Sequence, residues 1–231
     1  TTRPLGSLDR YWVGGGGTSD WNNPANWIGA AISEIMTNTV IENGTVVINR
    51  STKAESSAVK VGYAASLFVK ESLTLVNPGN LLIESSGTVN VEIDGTISTR
   101  QIEVNGGALN ILGGSVIVNS NFSIDSGGTI HVETGSLMVK NDRDWITDVK
   151  GVININYGKV LFDGDCVDAL LNMAKNGWLT VFHGRGGDTL IVDYDEITDV
   201  TVVSAVGMHW WNNYPRVLNT DNPETAVEMR A

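Results

Sequence analysis

Cysteine is almost missing from this chain: Cys166 is the one thiol in 231 residues. One thiol cannot close an internal disulfide, so burial and hydrogen bonding must hold the fold together. Cys166 therefore reads as a small core residue, and no Cys/His spacing suited to a metal is present. Positive charge is also short, with 15 Lys and Arg against 26 Asp and Glu and a net charge of −11. That balance excludes a broad electrostatic footprint for nucleic acid or anionic lipid. No run of 18 apolar residues occurs, so no membrane span is expected. Position 1 is Thr rather than Met, as expected where a leader has been removed or an end trimmed. A glycine-rich phosphate loop between strand and helix is absent, as is a serine–histidine–acid motif.

What is present is a rhythm. Triplets of the form apolar–x–apolar start at Leu81, Val89, Ile97, Ile102, Leu109, Val116, Phe122, Ile130 and Leu137. Every third one forms a series: Leu81, Ile102, Phe122; Val89, Leu109, Ile130; Ile97, Val116, Leu137, with steps of 19 to 21 residues. Self-similarity at a fixed period marks a solenoid. The chain is thus expected to be all-β, a right-handed parallel β-helix of about 20–22 residues per coil with three short strands per coil. Alternation places Ile102 and Val104 inward, and Glu103 and Asn105 outward. Corners carry Asn77-Pro78-Gly79-Asn80, Ser85-Ser86-Gly87, Asp94-Gly95, Asn105-Gly106-Gly107, Gly113-Gly114 and Ser126-Gly127-Gly128, residues that tolerate positive φ and close turns.

One domain, 1–231, is expected, in four parts. Residues 1–40 form an aromatic cap over the open end of the coils, with Trp12, Trp21 and Trp27 as its core. Residues 41–162 form the coils, with an interruption at Asn141–Lys150. Residues 163–177 form a helix, because Val167, Leu170, Leu171 and Ala174 share one face, with Lys175 in the last turn and Gly177 past the end. Residues 178–231 return to strands (Trp178–Phe182, Leu190–Tyr194, Thr198–Ser204) and a tail.

Two segments carry a resemblance. The opening Trp12-Val-Gly-Gly-Gly-Gly-Thr-Ser-Asp-Trp21-Asn-Asn-Pro-Ala-Asn-Trp27 resembles the start of bacterial extracellular β-helix modules of modular surface and polysaccharide-degrading proteins. The stretch from Gly177-Trp178-Leu179-Thr180 to Val192-Asp193-Tyr194-Asp195 resembles their C-terminal cap. The resemblance implies a secreted or cell-surface bacterial setting, neighbouring domains in a larger protein, and a polysaccharide partner.

Candidate chemistry falls into three groups. An aromatic sugar platform is suggested by His209, Trp210, Trp211, Asn212 and Tyr214, with a second exposed aromatic, Trp145, beside Arg143. Flat rings accept the C–H faces of sugars, and amides bond their hydroxyls. A structural calcium is suggested by Gly184-Arg-Gly-Gly-Asp188-Thr-Leu190, one copy of a calcium-binding turn pattern, with Asp193 and Asp195 nearby. No other cofactor is expected. The third candidate is a catalytic face built from outward ladders: Lys60–Leu82–Glu103–Ser123, Glu84–Asn105–Asp125, Phe68–Asn90–Asn110–His131 and Lys70–Glu92–Leu112–Glu133. None concentrates an acid–base set. The preferred reading is a non-catalytic extracellular carbohydrate-binding module. A structural or self-associating β-helix module comes second, and a polysaccharide lyase or glycoside hydrolase third.

Overall fold

A computed structural model describes residues 9–29, 37–49, 54–140, 149–184, 188–207 and 229–230, with backbone alone at 77–78 and 229–230. It is a parallel β-helix of about five turns with one short α-helix. No described helix is long and apolar enough to cross a membrane.

The chain opens with β1 (Asp9–Trp12), β2 (Trp27–Gly29), β3 (Asn38–Ile41) and β4 (Thr45–Ile48). The coils continue through β5 (Ala54–Val61), β6 (Ser66–Val69), β7 (Ser72–Glu84), β8 (Thr88–Val91), β9 (Thr96–Asn105) and β10 (Ala108–Ile111). They go on through β11 (Ser115–Ile124), β12 (Thr129–Val132), β13 (Ser136–Val139), β14 (Val152–Ile155) and β15 (Lys159–Asp163). After α1 (Val167–Lys175) come β16 (Leu179–Val181), β17 (Thr189–Asp195), β18 (Val200–Val206) and β19 (Met229–Arg230).

Three faces result. One is a seven-stranded parallel sheet running from β4 through β6, β8, β10, β12 and β14 to β16. The other two share a twelve-stranded sheet, because β5, β7, β9 and β11 each run through a corner. The sequence suggests three separate strands per coil; here two merge. Inward hydroxyls at the corner explain it. Thr99 is buried, and its Oγ1 donates to the Gly79 carbonyl at 2.5 Å; Ser56 does the same toward Thr37 at 2.6 Å. The bend then keeps its polar groups satisfied without a turn.

The inward register follows the alternation. Val59, Leu81, Ile102 and Phe122 stack in one column, and Leu67, Val89, Leu109, Ile130 and Ile153 in another, each at most 1% exposed. Fully burying each such side chain contributes about 1.5–3 kcal/mol. The outward ladders Lys60–Leu82–Glu103–Ser123 and Phe68–Asn90–Asn110–His131 are also as the alternation implies.

The N-terminal motif is a cap. Trp12, Trp21 and Trp27 are buried, with Trp27 meeting the other two edge-on at 5.0 and 5.2 Å. The Arg10 guanidinium lies 4.5 Å from the Trp21 ring, and burial lowers its pKa to about 10, so it remains a cation at neutral pH. Asn26 staples the glycine loop: its Oδ1 accepts from Gly16 N at 2.8 Å, and its Nδ2 donates to the Thr18 and Asp20 carbonyls at 2.9 and 3.0 Å.

The C-terminal end turns antiparallel. β18 pairs antiparallel with β15, β17 with β18, and β19 with β17. Helix α1 packs Leu170 and Met173 into the core, with Val167, Leu171 and Ala174 partly buried beside them. Gly177, at φ +76, and Trp178 return their amides to Ala174 and Met173, closing the helix. Cys166 is buried at the helix start, its amide held by Thr201 Oγ1 at 3.0 Å.

Candidate functional site

Arg143, Trp145, His209, Trp210, Trp211, Asn212 and Tyr214 lie outside the described residues. The three aspartates proposed for calcium are described. Asp188 is buried just before β17, and Asp195 ends that strand. Seven strand residues separate them by roughly 23 Å, so the two cannot share an ion. Both Asp195 oxygens close the turn after β17, accepting from Ile197 N at 2.9 Å and Thr198 Oγ1 at 2.8 Å. Those bonds, the Thr198 side chain first, lower the Asp195 pKa. Among the described residues no group of three His, Cys, Asp or Glu could hold a metal ion.

A shallow groove of about 630 Å³ runs along one corner of the coils. Its floor is a column of glycines: Gly95, Gly114, Gly135 and Gly158. None of these has a left-handed φ; the requirement is space. Each coil hands its glycine carbonyl to the next: Ser115 N donates to Gly95 O at 2.9 Å, Ser136 N to Gly114 O at 3.0 Å, Lys159 N to Gly135 O at 3.1 Å. A Cβ on Gly158 would lie 2.5 Å from the Gly135 carbonyl oxygen. The corner glycines thus divide into two kinds. Gly106 and Gly127 have left-handed φ, as the turn composition suggests, while their neighbours Gly107 and Gly128 permit close approach between coils.

One wall of the groove is set by strand register. Thr96, Ser115, Ser136 and Lys159 begin β9, β11, β13 and β15 and stand one above another, with Ser204 of β18 opposite Lys159. The other wall carries Asp94, Gly113, Thr134 and Tyr157. At about 4.8 Å per coil, four coils make a trough about 15 Å long. Tyr157 is 53% exposed at one end, and its ring meets Phe182 edge-on at 5.1 Å, which fixes its attitude. Lys159 is exposed and forms no ion pair with a described carboxylate.

A polar ladder on the seven-stranded sheet supports that end. Phe68, Asn90, Asn110, His131, Asn154 and Thr180 align outward across β6 to β16. Asn110 Nδ2 donates to Asn90 Oδ1 at 2.9 Å. Asn154 is buried: its Oδ1 accepts from Thr180 Oγ1 at 3.1 Å and from the His183 backbone N–H at 2.7 Å. Its Nδ2 donates to Asn156 Oδ1 at 3.1 Å, and Asn156 Nδ2 donates to the Glu133 carboxylate. Phe182 and His183 hold φ of 45° and 58°, a left-handed pair that non-glycine residues resist. The Asn154 bond anchors this turn, and the turn delivers Phe182 to Tyr157. The His131 and His183 rings lie 5.4 Å apart. Burial, and secondarily His183, lower the His131 pKa, with Glu133 opposing.

Tyr157 and Lys159 escape a reading based on tryptophan clusters. Their signal is the segment Tyr157-Gly158-Lys159, whose glycine falls in phase with Gly95, Gly114 and Gly135 beyond the interruption. No family model matches the chain, and no curated protein or solved structure matches it.

Proposed function

We propose that the protein binds polysaccharide, with the groove from Asp94 to Lys159 as the binding surface. The observation that carries this reading is the exposed, ring-braced Tyr157 at the head of a hydroxyl-lined trough. A sugar laid on the Tyr157 ring places its apolar face on a flat surface and its rim hydroxyls toward Ser136 and Thr134. The glycine floor lets the polymer approach the backbone closely, as side chains would not. The volume lies within the range of small-molecule clefts, about 300–1,000 Å³. Binding rather than cleavage suits the described lining, in which Asp94 is the one carboxylate; glycoside hydrolysis needs two, about 5–9.5 Å apart. An extracellular setting within a larger modular protein belongs to the same proposal. The structural, end-to-end reading is weaker: among the described residues the twelve-stranded sheet ends in the short strands β2 and β19, three and two residues long, and short edges blunt strand pairing.

Affinity electrophoresis tests the reading. The chain is run through native gels containing neutral and acidic polysaccharides. Retardation is expected on at least one, and Tyr157→Ala should weaken it about tenfold, roughly 1.4 kcal/mol of lost stacking, with an unchanged melting curve. Full retardation of the variant removes the groove from the reading. No retardation on any polysaccharide removes the reading itself.

A further inference from the structure

We infer that the groove selects an acidic polysaccharide in which uronic-acid carboxylates are separated by neutral sugars, and that Lys159 is the residue that selects it. This rests on the groove being a glycan site. Along the hydroxyl wall the residues run Thr96, Ser115, Ser136 and then Lys159, so a single coil replaces a hydroxyl with a cation. Two other outward lysines of the coils are neutralised: Lys60 by Glu84 at 2.9 Å and Lys70 by Glu92 at 3.3 Å. Lys159 has no described carboxylate partner, and the residue paired with it across the antiparallel strand is Ser204.

Position adds to charge. Tyr157 and Lys159 flank Gly158, one on each wall. A sugar stacked on Tyr157 over that glycine directs a ring substituent toward the ammonium. A lysine is a compact point charge suited to one anionic group. The far end of the trough carries Asp94, so a polymer with a carboxylate on every sugar meets a like charge there. The net charge of −11 acts in the same direction. One carboxylate near Tyr157, with neutral sugars running toward Asp94, satisfies both ends.

The test uses the intact chain and four polymers: an alternating uronic acid–neutral sugar polysaccharide, the same polymer with its carboxyls reduced to alcohols, a sulfated polysaccharide, and a neutral glucan. Affinities are measured by calorimetry at low and high salt for the chain and for Lys159→Gln. An exposed ion pair predicts that reducing the carboxyls weakens binding about fivefold, and that Lys159→Gln weakens binding of the intact polymer equally. Lys159→Gln should weaken the reduced polymer's binding less than that of the intact polymer, and 0.5 M salt should erase the difference between the two polymers. Equal affinity for intact and reduced polymers overturns the inference while leaving Tyr157-dependent glycan binding in place. Tighter binding of the sulfated chain overturns the choice of carboxylate. No binding to any polymer, with Tyr157→Ala silent, overturns the glycan reading beneath it.

Discussion

Adding one methyl group to Gly135 tests how the coils are spaced. The new Cβ would sit against the Gly114 carbonyl oxygen and 2.6 Å from Ile111 Cγ2, with the Gly113 carbonyl carbon at 3.1 Å. These neighbours are backbone and a buried side chain, so the coils must part locally. Overpacking of this kind costs about 1–3 kcal/mol. The bond from Ser136 N to Gly114 O, now 3.0 Å, would stretch and forfeit about 1 kcal/mol. Restricting the unfolded chain returns about 0.4–1 kcal/mol. The net expectation for Gly135→Ala is a loss of about 2 kcal/mol, seen as a melting shift of about 4–8 °C for a chain of this size. Gly177 is the control. It has open space around its Cβ but φ of +76, so its constraint is conformational. Asparagine tolerates left-handed φ, so Gly177→Asn should be milder than Gly177→Ala. At Gly135 the order reverses, because the larger side chain is worse. Urea unfolding measures all four variants, and amide exchange at Ser136 locates the damage. Gly135→Ala within about 0.5 kcal/mol of the parent, or Gly135→Asn more stable than Gly135→Ala, would refute the close-approach argument.

Two further predictions concern polar groups. Asn26→Ala removes four hydrogen bonds from the cap, one of them a long contact to Thr18 Oγ1 at 3.4 Å, and leaves Gly16 N and two carbonyls without that partner. A destabilisation of about 2–4 kcal/mol is expected in urea unfolding, with red-shifted tryptophan emission as Trp21 and Trp27 gain water; unchanged stability would count against the staple. His131 has a folded pKa below its ordinary value of 6.5, so the unfolded chain takes up the proton first. Its contribution to stability is complete above pH 6.5, falls as pH drops through that value, and levels once the folded histidine protonates. His131→Asn extends the Asn90–Asn110 ladder without a titrating ring, and the difference in stability between pH 7.5 and pH 5.5 should shrink in the variant. An unchanged difference would assign the acid sensitivity elsewhere.

The parallel coils were legible because a solenoid repeats its constraint. Once Leu81, Ile102 and Phe122 share a phase, alternation assigns every neighbour to a face, and the Lys60–Leu82–Glu103–Ser123 ladder follows. Strand direction was not legible. Leu190–Tyr194 and Thr198–Ser204 read as strands, but nothing in their composition tells an antiparallel hairpin from another coil. Corner composition points to glycine as a conformational device. That reading suits Gly106 and Gly127 and misses the crowding at Gly114 and Gly135, which depends on the preceding coil. The groove was missed for a related reason. Its walls are Thr, Ser, Gly, one Asp, one Tyr and one Lys, a composition without local contrast, and only stacking in register makes it a surface.

The bracing of Tyr157 shows why the aromatic ring occurs at one end of that surface rather than in its middle. Regular coils repeat Gly113–Gly114 or Thr134–Gly135 at this corner and offer no ring. The ring appears where the coil ends and the chain leaves β16 through Phe182 and His183. Two left-handed residues cost about 1–2 kcal/mol each. Against this stand the bond from His183 N to Asn154, about 1 kcal/mol, and the edge contact of Phe182 with Tyr157, about 0.5–1.5 kcal/mol. Partial burial of Phe182 against the core adds to these. The turn is therefore near balance by itself and depends on both contacts. One contact runs into the asparagine–histidine ladder and the other to the groove, so the ladder serves the groove by fixing the turn that aims its aromatic ring.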